Sequence, residues 1–180
     1  MLHDLLASAS VAGRVCVGLV FALAATQKAM HWRVLPGVIT NYGLLPRAMA
    51  WPASAFLPPA ELILAMLLLS AQLRPWPGLA AIALLALFAL AMTINIARGR
   101  DHIDCGCGES FLRQTLSRTL VTRNILLAAL LVPSLAMTAD TSMPLALSGI
   151  AAGLALFLLY LLFNILAALP PAEARGHRFA

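Results

Sequence analysis

Acidic residues are nearly missing from this chain: seven Asp and Glu stand among 180 residues, against 12 Lys and Arg. Charged residues of both signs make up only 11 %, while hydrophobic residues make up 62 %. Soluble domains usually carry roughly 25 % charged and about 45–50 % apolar residues. A soluble fold of this size could not hide so much apolar surface, so the bilayer is the expected solvent. Nucleic-acid binding is not expected either. The net charge is +5, but there is no basic arm with interleaved aromatics, and in an apolar chain such an excess reports topology. Cysteine is scarce as well. Of the three present, Cys105 and Cys107 stand one residue apart in the most polar stretch of the chain. A core-packing role does not suit that setting; a thiol, disulfide or metal role does.

What is abundant is long apolar sequence. A spanning helix needs about 20 mostly apolar residues, and five segments approach that length. They run from about Val11 to Met30, Phe56 to Leu73, Gly78 to Ala97, Arg118 to Met137 and Leu145 to Leu169. Pro58-Pro59 is expected at the start of the second, where a missing N–H costs little. Residues 47–56 then read as an interfacial connection. Arg123 and Pro133 interrupt the fourth segment, which makes it the weakest of the five. The first segment could alternatively be a cleaved signal peptide, but Asp4 and the lack of Lys or Arg before Arg14 argue against that. The fold class is therefore all-α: one polytopic transmembrane bundle over residues 1–180.

With five spans, the connections after the first and third segments share a face with the C-terminus. All basic residues except Arg14 and Arg74 fall on that face. Positive residues favour the cytoplasmic side, so the segment carrying Cys105 and Cys107 is expected inside and the N-terminus outside. Gly149 and Gly153 form a G-x-x-x-G pattern, read here as ordinary close helix packing in preference to a dedicated dimer face.

The chemistry concentrates at Asp104-Cys105-Gly106-Cys107-Gly108. The central glycine lets the backbone fold tightly enough to bring two sulfurs together. A disulfide across one residue is strained and easily reduced, as exchange sites are. Arg98, Arg100 and His102 favour the thiolate, whereas Asp104 opposes it. Two other readings stay open. His102 and Asp104 could complete a metal set with the thiols, although the spacing is more compact than usual zinc patterns. Alternatively the glycines set a loop shape and the thiols are incidental.

Lys28 and Glu61 lie near span ends on the same face. Charges in spans are expensive and usually meet a partner or a cavity. The two either pair, or line a polar pocket, or reach separately to the headgroups. Asn95, Arg123 and Asn124 fall at the same level by span parity. Cys16 belongs at the opposite end, roughly 30 Å away, as a small buried apolar residue. His3, His31 and His177 are scattered and interfacial.

Several blocks together resemble a known family. They are the first span with Lys28, then Tyr42-Gly43-Leu44-Leu45-Pro46, then Pro59-Ala60-Glu61-Leu62. Asn95-Ile96-Ala97-Arg98-Gly99-Arg100 then leads into Asp104-Cys105-Gly106-Cys107-Gly108. Over about residues 13–140 the pattern resembles the methylamine utilisation protein MauE family, related to the DoxX-like membrane bundles. Where that family often reads Cys-Gly-Cys-Phe-Gly, Gly108 here follows Cys107 directly and Glu109 comes next.

The resemblance implies a four-helix core in the inner membrane of methylamine-oxidising bacteria, to which the uncharged apolar run over about 145–169 adds a fifth, C-terminal span. The resemblance also implies a role in maturation, processing or export of the disulfide-rich beta subunit of methylamine dehydrogenase, with a periplasmic thioredoxin-like protein as partner. Cys105 and Cys107 would be the exchanging pair of a thiol–disulfide relay. Lys28, Glu61, Asn95, Arg98, Arg100 and Asp104 would shape the site. Two rival classes are a non-enzymatic membrane chaperone or scaffold, and a quinone- or small-solute-binding bundle that uses Lys28 and Glu61.

Overall fold

A computed structural model describes residues 2–70, 75–100, 117–136 and 142–168. Those residues form seven helices: α1 (Leu2–Met30), α2 (Leu35–Tyr42), α3 (Arg47–Leu69), α4 (Pro75–Ala97), α5 (Arg118–Leu130), α6 (Val132–Ala136) and α7 (Met143–Ala168). Five units are long and apolar enough to cross a membrane: α1, α3, α4, α5 with α6, and α7. The described residues contain no strand. Backbone N–H and C=O groups in hydrocarbon must be satisfied within the protein, and helices do this segment by segment.

The most enclosed helix is α1. It packs mainly against α3 and α7, and also against α5 and α6. Its inward positions are mostly small, including Ala7, Ser10, Ala12, Gly13 and Gly18, so neighbouring backbones approach closely. At Gly13 a Cβ would collide with the backbone of Leu130. The apolar core surrounds the middle of α1, where Val17 and Phe21 meet Ala65 and Leu68 of α3, Leu85 of α4, and Leu127 and Leu131 beside the α5–α6 junction. A helix in this position cannot be removed without removing the core, which disfavours the signal-peptide alternative.

Gly149 and Gly153 of α7 lie against α1. A Cβ on Gly149 would meet Val11 Cβ at 2.7 Å, and one on Gly153 would meet Val15 Cβ at 2.8 Å. The numbering rises in the same direction along both helices, so α7 runs parallel to α1. The G-x-x-x-G pattern is thus spent on packing within the chain.

Helix boundaries differ from expectation in two places. The first span begins at Leu2, ahead of Val11. The second begins at Arg47, so Pro52, Pro58 and Pro59 lie inside α3. A proline inside a helix removes one i→i−4 bond and usually kinks or breaks it. Within α3 the helical path continues, with Ala50, Ser54, Glu61, Ala65 and Leu68 as a single inward stripe. Packing on that stripe outweighs the lost bonds. The fourth span is interrupted at Pro133, as expected, but not at Arg123. Pro133 cannot donate to Ala129, and the chain tightens there: Leu131 N–H donates to Ala128 O at 3.1 Å, and Ser134 N–H to Leu131 O at 3.0 Å.

Arg14 explains where α3 stops. Its Nε donates to Leu68 O at 3.2 Å and its Nη2 to Ser70 O at 2.7 Å. These carbonyls belong to the last turn and the C-cap, which lack partners within the helix. A buried guanidinium at one end of the bundle therefore closes α3, while Lys28 stands at the other end of α1.

Candidate functional site

Three inward stripes bring Lys28, Glu61 and Asn95 toward the same end of the bundle. On α1 the buried positions Phe21 and Ala25 lead to Lys28. On α3 Ser54 and Ala65 flank Glu61. On α4 Ala81, Leu85, Ala89 and Met92 lead to Asn95. Helical periodicity forces each polar side chain inward, because it occupies the register of the apolar face.

Lys28 and Glu61 meet directly. Lys28 Nζ donates to Glu61 Oε1 at 2.7 Å and to Oε2 at 2.9 Å. Lys28 is 5 % exposed and Glu61 0 %, so neither reaches out to the headgroups. The ammonium also lies 5.5 Å from the centroid of the Phe88 ring. Carboxylate and aromatic face together replace part of the water the cation has lost. A buried ion pair is weak support for stability as such, but breaking it leaves an uncompensated charge.

Asn95 is fully enclosed, at 0 % exposed. Its Nδ2 donates to Ala91 O at 3.0 Å, while its buried Oδ1 has no hydrogen-bond partner. Its backbone carbonyl accepts N–H bonds from Arg98 at 3.1 Å and Arg100 at 2.9 Å, which closes α4. Gly99, at φ 69°, supplies the left-handed residue that this ending needs. Arg98 and Arg100 are exposed. Arg100 Nη1 lies over the turn after α2, where a Cβ on Gly43 would come within 2.8 Å. Met92 and Leu120 pack beside this level with Tyr42, Phe88, Ile96 and Val121.

The structure thus joins Lys28 to Glu61 and sets Asn95 at the same end. It leaves Arg98 and Arg100 on the surface above. Arg123 turns away toward α7, where its Nη1 donates to Asn164 Oδ1 and its guanidinium lies 5.4 Å from the Tyr160 ring centroid. Asn124 Nδ2 donates to Leu120 O of its own helix at 2.9 Å. Asp104, Cys105 and Cys107 lie outside the described residues, as does His102. Among the described residues no group of three His, Cys, Asp or Glu side chains could hold a metal ion. Cys16 is buried, with a free thiol.

Phe88, Asn164, Tyr160 and the capping role of Arg14 were not anticipated from sequence. Asn164 carried a usable signal, since it is the one amide in the fifth apolar run and lies at the level of Arg123. Phe88 carried none, because an aromatic in an apolar stripe reads as core.

Comparison with known proteins identifies the bundle. The family described as Methylamine utilisation protein MauE matches residues 6–139. The chain is 35 % identical over 168 residues to the methylamine utilization protein MauE of Paracoccus denitrificans, covering 89 % of this chain and 88 % of that one. It is 36 % identical over 158 residues to that of Paracoccus versutus, covering 83 % and 82 %. It is 38 % identical over 146 residues to that of Methylorubrum extorquens, covering 79 % and 78 %. No solved structure gives a significant match. A multi-pass helical bundle with this sequence likeness over most of its length belongs to the MauE family of methylamine utilisation proteins.

Proposed function

We propose that this protein is a membrane-embedded maturation factor for the beta subunit of methylamine dehydrogenase, working by thiol–disulfide relay through Cys105 and Cys107. The observation that carries the reading is one of placement. Arg100 and Ser117 flank the cysteine segment in sequence. They follow α4 and precede α5 at the end of the bundle where Lys28 meets Glu61. A sequence pair suited to easy reduction is thereby attached to the polar, charge-bearing end of an otherwise apolar molecule.

In the oxidising direction, a client thiolate attacks the Cys105–Cys107 disulfide and forms a mixed disulfide. The second client thiolate then displaces the bound cysteine. The client loses two electrons and two protons, and Cys105 and Cys107 end as thiols. A periplasmic thioredoxin-like protein or a membrane quinone takes up the electron pair and restores the disulfide. Run in reverse, the same steps reduce a wrongly formed client disulfide: the client gains two electrons and two protons, and Cys105 and Cys107 end as the disulfide. Arg98 and Arg100 favour thiolate by their charge, and the Lys28–Glu61 pair holds α1 and α3 in register beneath them. Direct exchange with a periplasmic partner requires this end to face the periplasm, against the positive bias of the helix ends; with this end in the cytoplasm, the electron pair must cross the bilayer through the quinone.

The direct test is the double substitution Cys105→Ser/Cys107→Ser in a methylamine-grown host. The relay predicts that correctly disulfide-bonded beta subunit falls at least tenfold while the membrane protein still accumulates. Undiminished beta subunit in that strain would leave a scaffold that uses its helices alone.

A further inference from the structure

A lateral groove of about 520 Å³ opens between α5 and α7, with Cys16 of α1 at its floor. Its walls are Leu126, Leu127 and Leu130 on one side and Leu156, Leu159 and Phe163 on the other. At one end the lining changes character, to Arg118, Thr119, Thr122 and Arg123. We propose that this groove is a site for one anionic phospholipid, with its phosphate at Arg118 and Arg123 and one acyl chain along the leucines.

Charge is the first argument. Among the described residues the only acids are Asp4 and Glu61. Glu61 is engaged by Lys28, and Asp4 stands in the first turn of α1, at the far end of the bundle. No described carboxylate forms a salt bridge with Arg118 or Arg123. Arg123 is 8 % exposed and its buried Nε–H has no hydrogen-bond partner. Its fixed contacts to Asn164 and Tyr160 hold the guanidinium in place without neutralising it. Arg118 opens α5, and Ser117 before it makes no side-chain cap bond. A helix N-terminus in that state favours an anion.

Dimensions are the second. Arg118 to Leu130 is about 18 Å along a helix axis at the standard rise. One leaflet of hydrocarbon is roughly 15 Å deep, half the usual core. The groove therefore runs from headgroup level to near the midplane, the reach of one chain. Leu126 and Leu159 are each 60 % exposed, so the groove is open sideways to lipid. A neutral quinone ring would leave both arginines without a counter-charge among the described residues.

The test is native mass spectrometry of the full-length protein after exchange into nanodiscs of equal phosphatidylglycerol and phosphatidylcholine. The inference predicts one retained phosphatidylglycerol per chain, in preference to phosphatidylcholine. Arg118→Gln, at an exposed position, should lower that retention about fivefold, the value of one basic residue near a membrane surface. Leu159→Trp should fill the groove and abolish retention with helical content unchanged, whereas Phe56→Trp, on an exposed face of another helix, should retain lipid as before. Millimolar inorganic phosphate should not compete. Equal retention of both lipids, a quinone in place of the phospholipid, competition by phosphate alone, or full retention by Leu159→Trp would each overturn the inference. None of these outcomes depends on whether Cys105 and Cys107 exchange disulfides.

Discussion

Lys28 and Glu61 could each have been an isolated charge near a span end. Parity of the spans put them on one face, but only the register of α1 against α3 makes them partners. That register depends on small residues, above all Gly18, where a Cβ would crowd Leu69 at 2.9 Å. Such a contact is invisible to a reading of one helix at a time. Removing one member should therefore cost more than removing both. Glu61→Gln leaves the Lys28 ammonium buried beside Phe88 and should destabilise the bundle by about 3–5 kcal/mol. Lys28→Met/Glu61→Leu should recover most of that loss. Thermal unfolding in detergent of the two singles and the double measures the coupling. Additive losses would show that the pair is not coupled. The double also separates structure from chemistry: if the pair serves the site as well as the fold, the stable double variant still fails to support beta-subunit maturation.

At the scale of helices, hydropathy made the five spans readable, because the length of an apolar run is set by the thickness of the bilayer. The boundaries were less readable. Pro52, Pro58 and Pro59 argue locally for a late start to α3, and packing of the Ala50–Ser54–Glu61 stripe overrides them. The short α2 lies in a stretch with no strong periodic signal. Arg123 looked like an interruption because its partner, Asn164, comes 41 residues later. The cysteine segment is the reverse case: its residue types suggest thiol exchange, while it lies outside the described residues. The glycine pair of α7 gives a prediction at this scale. Gly149→Leu/Gly153→Leu should push α7 from α1 and cost about 1–3 kcal/mol by overpacking. Light scattering should find the oligomeric state unchanged while the unfolding midpoint falls. A change in oligomeric state with no loss of stability would assign the glycines to a dimer face instead.

Over the whole molecule, polarity is divided unevenly between the two ends. One end is closed by Arg14 on the carbonyls of α3. The other gathers Lys28, Glu61, Asn95, Arg98, Arg100, Arg118 and Arg123, and there the flanks of Cys105 and Cys107 emerge. The proposed relay rests on this uneven division, because the described residues on either side of the cysteine segment lie at the polar end. Cys16, buried in the core, provides an internal reference for any thiol chemistry at that end. The most direct measurement is rapid acid trapping of methylamine-grown cells, followed by alkylation and intact mass of the membrane protein. The relay account predicts two populations differing by the two alkyl groups of Cys105 and Cys107, with a ratio that shifts when methylamine is withdrawn. A single fully alkylated population under both conditions would contradict it.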